Sequence, residues 1–255
     1  MRAICAAAAV LAGCSQILGI EELGPSGGPP GSDAAHGDAP RDGGPDGPIG
    51  PAIKVSGSVL QYAEAGQGPR VVANAQVELI LLANGARVAS AVSDASGLYS
   101  MTVPTQGSSI DGYVAATAQN FVVSRRFFLR PLTGDTNAAV TMIDLARMQS
   151  YGNKCSPVVP QPLHTVMLLV VGANNDPVEG AQIQTVPEAA AYCFNDNAGQ
   201  PAPLGKTSLD GIGWAFGLSF QTQVSAQVLI PGYMPRALPP ATTQTLSIVP
   251  MGLMQ

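Results

Sequence analysis

From residue 53 onward, apolar side chains recur at every second position in short runs, and each run closes on Gly, Asn, Asp or Pro. Period two is the repeat of a strand with one buried face; a helix needs apolar residues three and four apart. Ile53, Val55, Gly57 and Val59 share a face of the first run, and Val77, Leu79 and Leu81 share a face of the next. Asn84-Gly85 follows, a pair that tolerates the positive φ of a tight hairpin. The partner strand returns from Arg87 to Ser93. Asp94-Ala95-Ser96-Gly97 then turns the chain: the Asp94 carboxylate can accept from amides ahead of it, and Gly97 can turn left-handed. Tyr99, Met101 and Val103 form another inward row, and runs at 112–118, 121–130 and 138–143 bring the total to about seven strands. No convincing helix period is present.

The pattern returns after roughly 105–115 residues, which speaks for two tandem domains. Asn174 to Ile183 repeats the turn-into-strand of Asn74 to Val77, and Asp210-Gly211-Ile212-Gly213-Trp214 repeats the Asp94–Gly97 turn. The expected fold class is all-β: two small antiparallel β-sandwiches over 53–146 and 163–251, with a linker at 147–162. The order is an opening strand with Gly, then Asp176-Pro177-Val178-Glu179-Gly180-Ala181, then Asp94-Ala95-Ser96-Gly97-Leu98-Tyr99 in the other copy. It resembles the carboxypeptidase regulatory-like domains, which are similar in fold to transthyretin and to bacterial immunoglobulin-like repeats. The resemblance covers about 190 residues and rests on turn geometry, so it implies fold rather than function.

The first residues read as an address. Arg2 precedes an uncharged run from Ala3 to Ala12, far short of the roughly 20 apolar residues that span a bilayer. A positive start, a short apolar run and small residues at its end mark a secretory signal over 1–13. Leu11-Ala12-Gly13-Cys14 resembles the lipobox of bacterial lipoproteins. That resemblance implies a diacylglyceryl thioether on Cys14, cleavage before it, and acylation of the new amine, so that 14–23 becomes the lipidated start of the mature chain. Ser15 stands where the family's sorting rule places an inner-membrane-retaining Asp, which implies the outer membrane. Two or three acyl chains anchor stably, at about 0.8 kcal/mol per buried CH₂.

Composition changes over 24–52, which is more than half Gly and Pro with Asp33, Asp38, Asp42 and Asp46 spaced through it. Such a stretch cannot bury enough apolar surface to offset its ordering entropy, and Gly does not recur at every third position as collagen requires. It reads as a disordered stalk. The net charge of −5 offers no basic stripe for phosphates, so nucleic acid is not an expected partner.

Chemistry is sparse. Cys5 lies in the signal and Cys14 takes lipid, which leaves Cys155 and Cys193 for one disulfide in an oxidising compartment; two free or metal-bound thiols are the alternative. His164 with these cysteines makes three soft ligands without zinc spacing, so no metal or other cofactor is expected. As a catalytic base His164 would need a nearby nucleophile and an orienting acid, and no such cluster shows in the sequence. Asp94, Gly97, Asp210 and Gly213 are assigned to turns. Lys54, Asn137 and Glu78 stand where an intramolecular isopeptide would draw its lysine, asparagine and acid, though the flanking motifs differ. Trp214, Tyr192 and Phe194 are candidates for a glycan or partner contact, against a core role. Arg125 and Arg126 read as charges guarding a sheet edge.

The expectation is therefore a non-catalytic, lipid-anchored envelope protein with the outer membrane favoured. Its sandwich pair would serve structural, adhesive or partner-binding roles toward a protein or polysaccharide. A carbohydrate-binding envelope protein is the alternative.

Overall fold

A computed structural model describes residues 51–63, 67–156 and 164–253. The signal 1–13, Cys14, the lipidated segment 14–23, nearly all of the Gly/Pro-rich stretch and residues 157–162 of the expected linker lie outside the described residues.

Strands β1 (Ala52–Gln61), β2 (Arg70–Val71), β3 (Gln76–Leu81), β4 (Arg87–Val92), β5 (Leu98–Pro104), β6 (Gly112–Thr117), β7 (Val123–Phe127), β8 (Thr136–Asn137) and β9 (Val140–Met142) form the first half. β1 pairs antiparallel with β2 and β5 and parallel with β8 and β9, giving a five-stranded sheet. It packs on β4-β3-β6 through alternating side chains such as Val55, Val59, Val77, Leu79, Tyr99, Met101 and Val114, all buried. Gly57 lies where β1 meets the chain entering β9: a Cβ there would stand 2.4 Å from the Ala138 carbonyl oxygen.

The second half contains α1 (Leu145–Cys155), then β10 (His164–Val171), β11 (Ile183–Val186), β12 (Ala191–Asn195), β13 (Pro201–Ala202), β14 (Ile212–Leu218), β15 (Val224–Val228), β16 (Arg236–Leu238) and β17 (Thr245–Gly252). The expectation that the chain has no helix is corrected here. Asp144 caps α1 by accepting from the Arg147 amide at 2.8 Å, and Met148 and Tyr151 face inward one turn apart.

β13-β12-β14-β10-β17 continue without a break into β7-β6-β3-β4, one sheet of nine strands. The join is parallel: Thr245 to Ile248 of β17 align with Val123 to Arg126 of β7. On one side of the β10 region lies the three-stranded sheet β11-β15-β16, and on the other lie α1, Tyr62 and Ile143. This half of the sheet is therefore covered on both faces, which is why every residue of β10 is buried and why its sequence is a nearly continuous apolar run. Arg125 and Arg126 lie at an internal strand, not at an edge. Arg125 Nη1 donates to the Pro239 and Pro240 carbonyls (3.2 and 3.1 Å), and its guanidinium lies over the Tyr113 ring.

Candidate functional site

The turn residues come first because they shape the loop ends. Asp94 Oδ1 accepts from the Ser96 and Leu98 amides at 2.8 and 2.9 Å, and Gly97 has a φ of 74°. In the second copy Asp210 Oδ1 accepts from the Ile212 amide (3.0 Å) and from Ser208 Oγ (3.2 Å). The left-handed glycine there is Gly211, with a φ of 66°, and not Gly213. Gly213 sits inside β14, where a Cβ would meet Ile183 Cδ1 at 2.7 Å; its smallness lets the two sheets approach. The expectation is two residues out because the second turn starts at Ser208 and not at Asp210: the Ser208 carbonyl accepts from the Gly211 amide at 3.1 Å, as the Asp94 carbonyl accepts from the Gly97 amide at 2.9 Å.

Trp214 and Phe194 do not form an exposed aromatic platform. Both are buried, Trp214 completely and Phe194 to 3% exposure, so neither ring offers a face to a sugar. Trp214 stacks on Phe216 at 5.7 Å and meets Tyr62 and Tyr151 edge-on at 5.6 and 6.1 Å. Its indole N–H donates to Asn195 Oδ1 at 2.8 Å, and Asn195 Nδ2 donates to Asp210 Oδ2 at 2.7 Å. Burial raises the Asp210 pKa, and the Asn195 amide works against that rise. The Tyr62 hydroxyl donates to the Gly199 carbonyl at 3.1 Å, so the first half reaches into this network from the end of β1. Tyr192 is half-buried, and its hydroxyl accepts from the Thr185 amide at 3.0 Å and meets Thr185 Oγ1 at 2.9 Å, holding the β11–β12 connection.

Cys155 and Cys193 form a disulfide with Cα atoms 5.7 Å apart. It joins the last residue of α1 to the middle of β12, beside Trp214 across the strand pair.

His164 is wholly buried at the start of β10, and Ser247 Oγ of neighbouring β17 lies 3.0 Å from its Nε2. This is a serine–imidazole contact that the sequence did not disclose, since the two residues are far apart along the chain. Nδ1 has no partner among the described residues, so no carboxylate orients the ring there. Burial, and secondarily the Arg125 charge, lowers its pKa to about 4, so the ring is neutral. Ser247 is equally inaccessible. The pair fills a layer between strands and cannot meet a substrate.

Lys54, Asn137 and Glu78 are not assembled. Lys54 and Asn137 are exposed, and Glu78 pairs with Arg87 at 2.8 Å on the other sheet. Among the described residues no group of three or more His, Cys, Asp or Glu could hold a metal ion, and no helix is long and apolar enough to cross a membrane.

No protein-family model matches the chain, and no curated protein matches it. Among solved structures it is similar to the TIE protein of Bacillus anthracis, at 12% identity over 79% of this chain and 34% of that one, with a TM-score of 0.27. It is also similar to a streptococcal ancillary pilin, at 12% identity over 80% of this chain and 62% of that one, TM-score 0.24. The minor pilin of Streptococcus agalactiae matches at 11% identity over 80% of this chain and 97% of that one, TM-score 0.24. The chain spans about a third of the first of these and under two thirds of the second.

Proposed function

We propose that this chain is a non-catalytic protein of the bacterial cell envelope, anchored by lipid on Cys14. It presents its two sandwiches as one continuous body for structural, adhesive or partner-binding contact. The observation that carries the reading is the nine-stranded sheet shared by both halves, whose interior is filled by side chains, including the histidine and tryptophan that chemistry or sugar binding would have needed at the surface. A body built this way transmits position and load rather than opening around a substrate. Leu11-Ala12-Gly13-Cys14 supports the anchor, Ser15 supports the outer membrane, and the composition of the Gly/Pro-rich stretch supports a tether that ends at β1. The partner is a protein or polysaccharide of the envelope. Burial of Trp214 and Phe194 leaves the carbohydrate-binding alternative without its aromatic surface.

Labelling of producing cells with a clickable palmitate analogue tests the anchor. The parent chain should carry label and sediment with membranes; Cys14→Ser should lose the label and accumulate unprocessed. An unlabelled parent, or a label retained by the variant, would overturn the assignment of place.

A further inference from the structure

We propose that the seam between the two sandwiches holds a binding pocket for a small carboxylate with a short apolar body. The cavity measures about 330 Å³, at the lower end of the range for small-ligand sites. It lies where β7 runs out into Leu129 and Arg130, where β16 begins, and where β17 ends. Leu129, Met234, Met251 and Leu253 supply apolar wall, and no acidic residue lines it. Met234 is 56% exposed, so part of that apolar surface already faces solvent. Gly252 keeps the floor clear, because a Cβ there would stand 2.9 Å from Leu129 Cδ1.

The charge at this end of the seam is one-sided. Arg130 is exposed and makes no hydrogen bond or ion pair among the described residues. Arg236 is held in place: Nη1 donates to the Phe128 carbonyl, its guanidinium lies 5.8 Å from the Phe127 ring centre, and Nη2 meets Asp111 Oδ1 at 3.4 Å. Its Nε is buried without an acceptor. Arg126 lies near enough that the Arg236 charge helps lower its pKa, behind the larger effect of burial, and its Nη1 also lacks an acceptor. Two guanidiniums, Arg130 and Arg236, thus line the cavity, and the carboxylate recorded against them is Asp111 on Arg236, in a chain whose net charge is −5. The surplus favours an anion here and disfavours a cation. The free fork of Arg130 suits a carboxylate, which it can engage through two parallel N–H donors, while the ligand's chain lies on the leucine and methionine walls.

Titration calorimetry with octanoate, on the full chain carrying Cys14→Ser to keep it free of lipid, tests the proposal. Saturable binding is expected, weakened about tenfold or more by Arg130→Gln, since a charge-assisted hydrogen bond is worth roughly 1.5–3 kcal/mol. Met234→Asp, which places a carboxylate on the exposed wall, should weaken it similarly. Arg70→Gln, on β2, should leave it unchanged. Both test positions are exposed, and the unfolding midpoint of each variant checks that the fold is intact. Acetate, which lacks the apolar body, and 1-octanol, which lacks the charge, should each bind at least tenfold more weakly. Absence of saturable heat, equal affinity for octanol or acetate, or full affinity in both Arg130→Gln and Met234→Asp would overturn the pocket.

Discussion

His164 is wholly buried and has no acceptor for Nδ1 among the described residues, so the fold accommodates only the neutral ring. An unfolded histidine titrates near 6.5, whereas burial and Arg125 hold this one near 4. Between those values the unfolded chain binds a proton that the folded chain does not. Stability is therefore full above about pH 6.5, falls as pH drops toward 4, and loses nothing further from this group below that. The distance between the two values bounds the loss at roughly 3–4 kcal/mol. Urea midpoints measured across pH 4–7 should decline in that window, and His164→Gln, which does not titrate, should flatten the decline. Asn195 is the second residue on which much rests, because it serves Trp214, Asp210 and Tyr62 at once. Asn195→Ala strands a buried indole N–H and removes a donor from a partly buried carboxylate, so a loss of about 2–4 kcal/mol is expected in chemical unfolding. A loss below 1 kcal/mol would mean that water replaces the amide.

At the scale of elements, α1 is the piece that sequence reading missed. Asp144, Met148, Tyr151 and Cys155 do stand at cap and helix spacing. The signal was weak because the helix is three turns of mostly polar residues, too short to persist alone, and only one narrow face is buried. Packing on Trp214 and the bond from Cys155 to Cys193 hold it. The strands were far more legible. β1, β3 and β5 alternate cleanly because one face of each meets the core and the other meets solvent, whereas β10 lost its alternation because it is buried on both sides. The disulfide follows from the cysteine count and the oxidising compartment expected from the sequence; the Ser247 contact of His164 does not, since it depends on a parallel pairing between distant strands. Replacing both cysteines by serine opens a loop of 38 residues, and the chain-entropy estimate for that loop is about 3–4 kcal/mol. The sole tryptophan lies under the helix and reports on it. Its emission should be blue-shifted in the parent, move toward red in the double-serine protein, and stay unchanged when envelope oligosaccharides are added. Quenching by an oligosaccharide would restore the sugar-binding alternative.

At the scale of the molecule, the two halves share a sheet, the Arg125 and Arg236 bonds to carbonyls across the seam, and the Tyr62 contact with Gly199. Calorimetry should accordingly show one cooperative transition rather than two, with far-ultraviolet ellipticity and Trp214 emission changing together. Separate transitions would mean that the seam is weaker than its contacts indicate. The order of strands also dictates when the body can be completed. β17 is the last of the described strands, yet it lies in the middle of the sheet between β7 and β10. During synthesis or passage through a translocon, the flanks of β7 and β10 wait open for residues 245–252, exposed to mispairing with any other extended chain. A truncation that removes only this terminal strand should therefore yield aggregates rather than a folded first half and a loose second one.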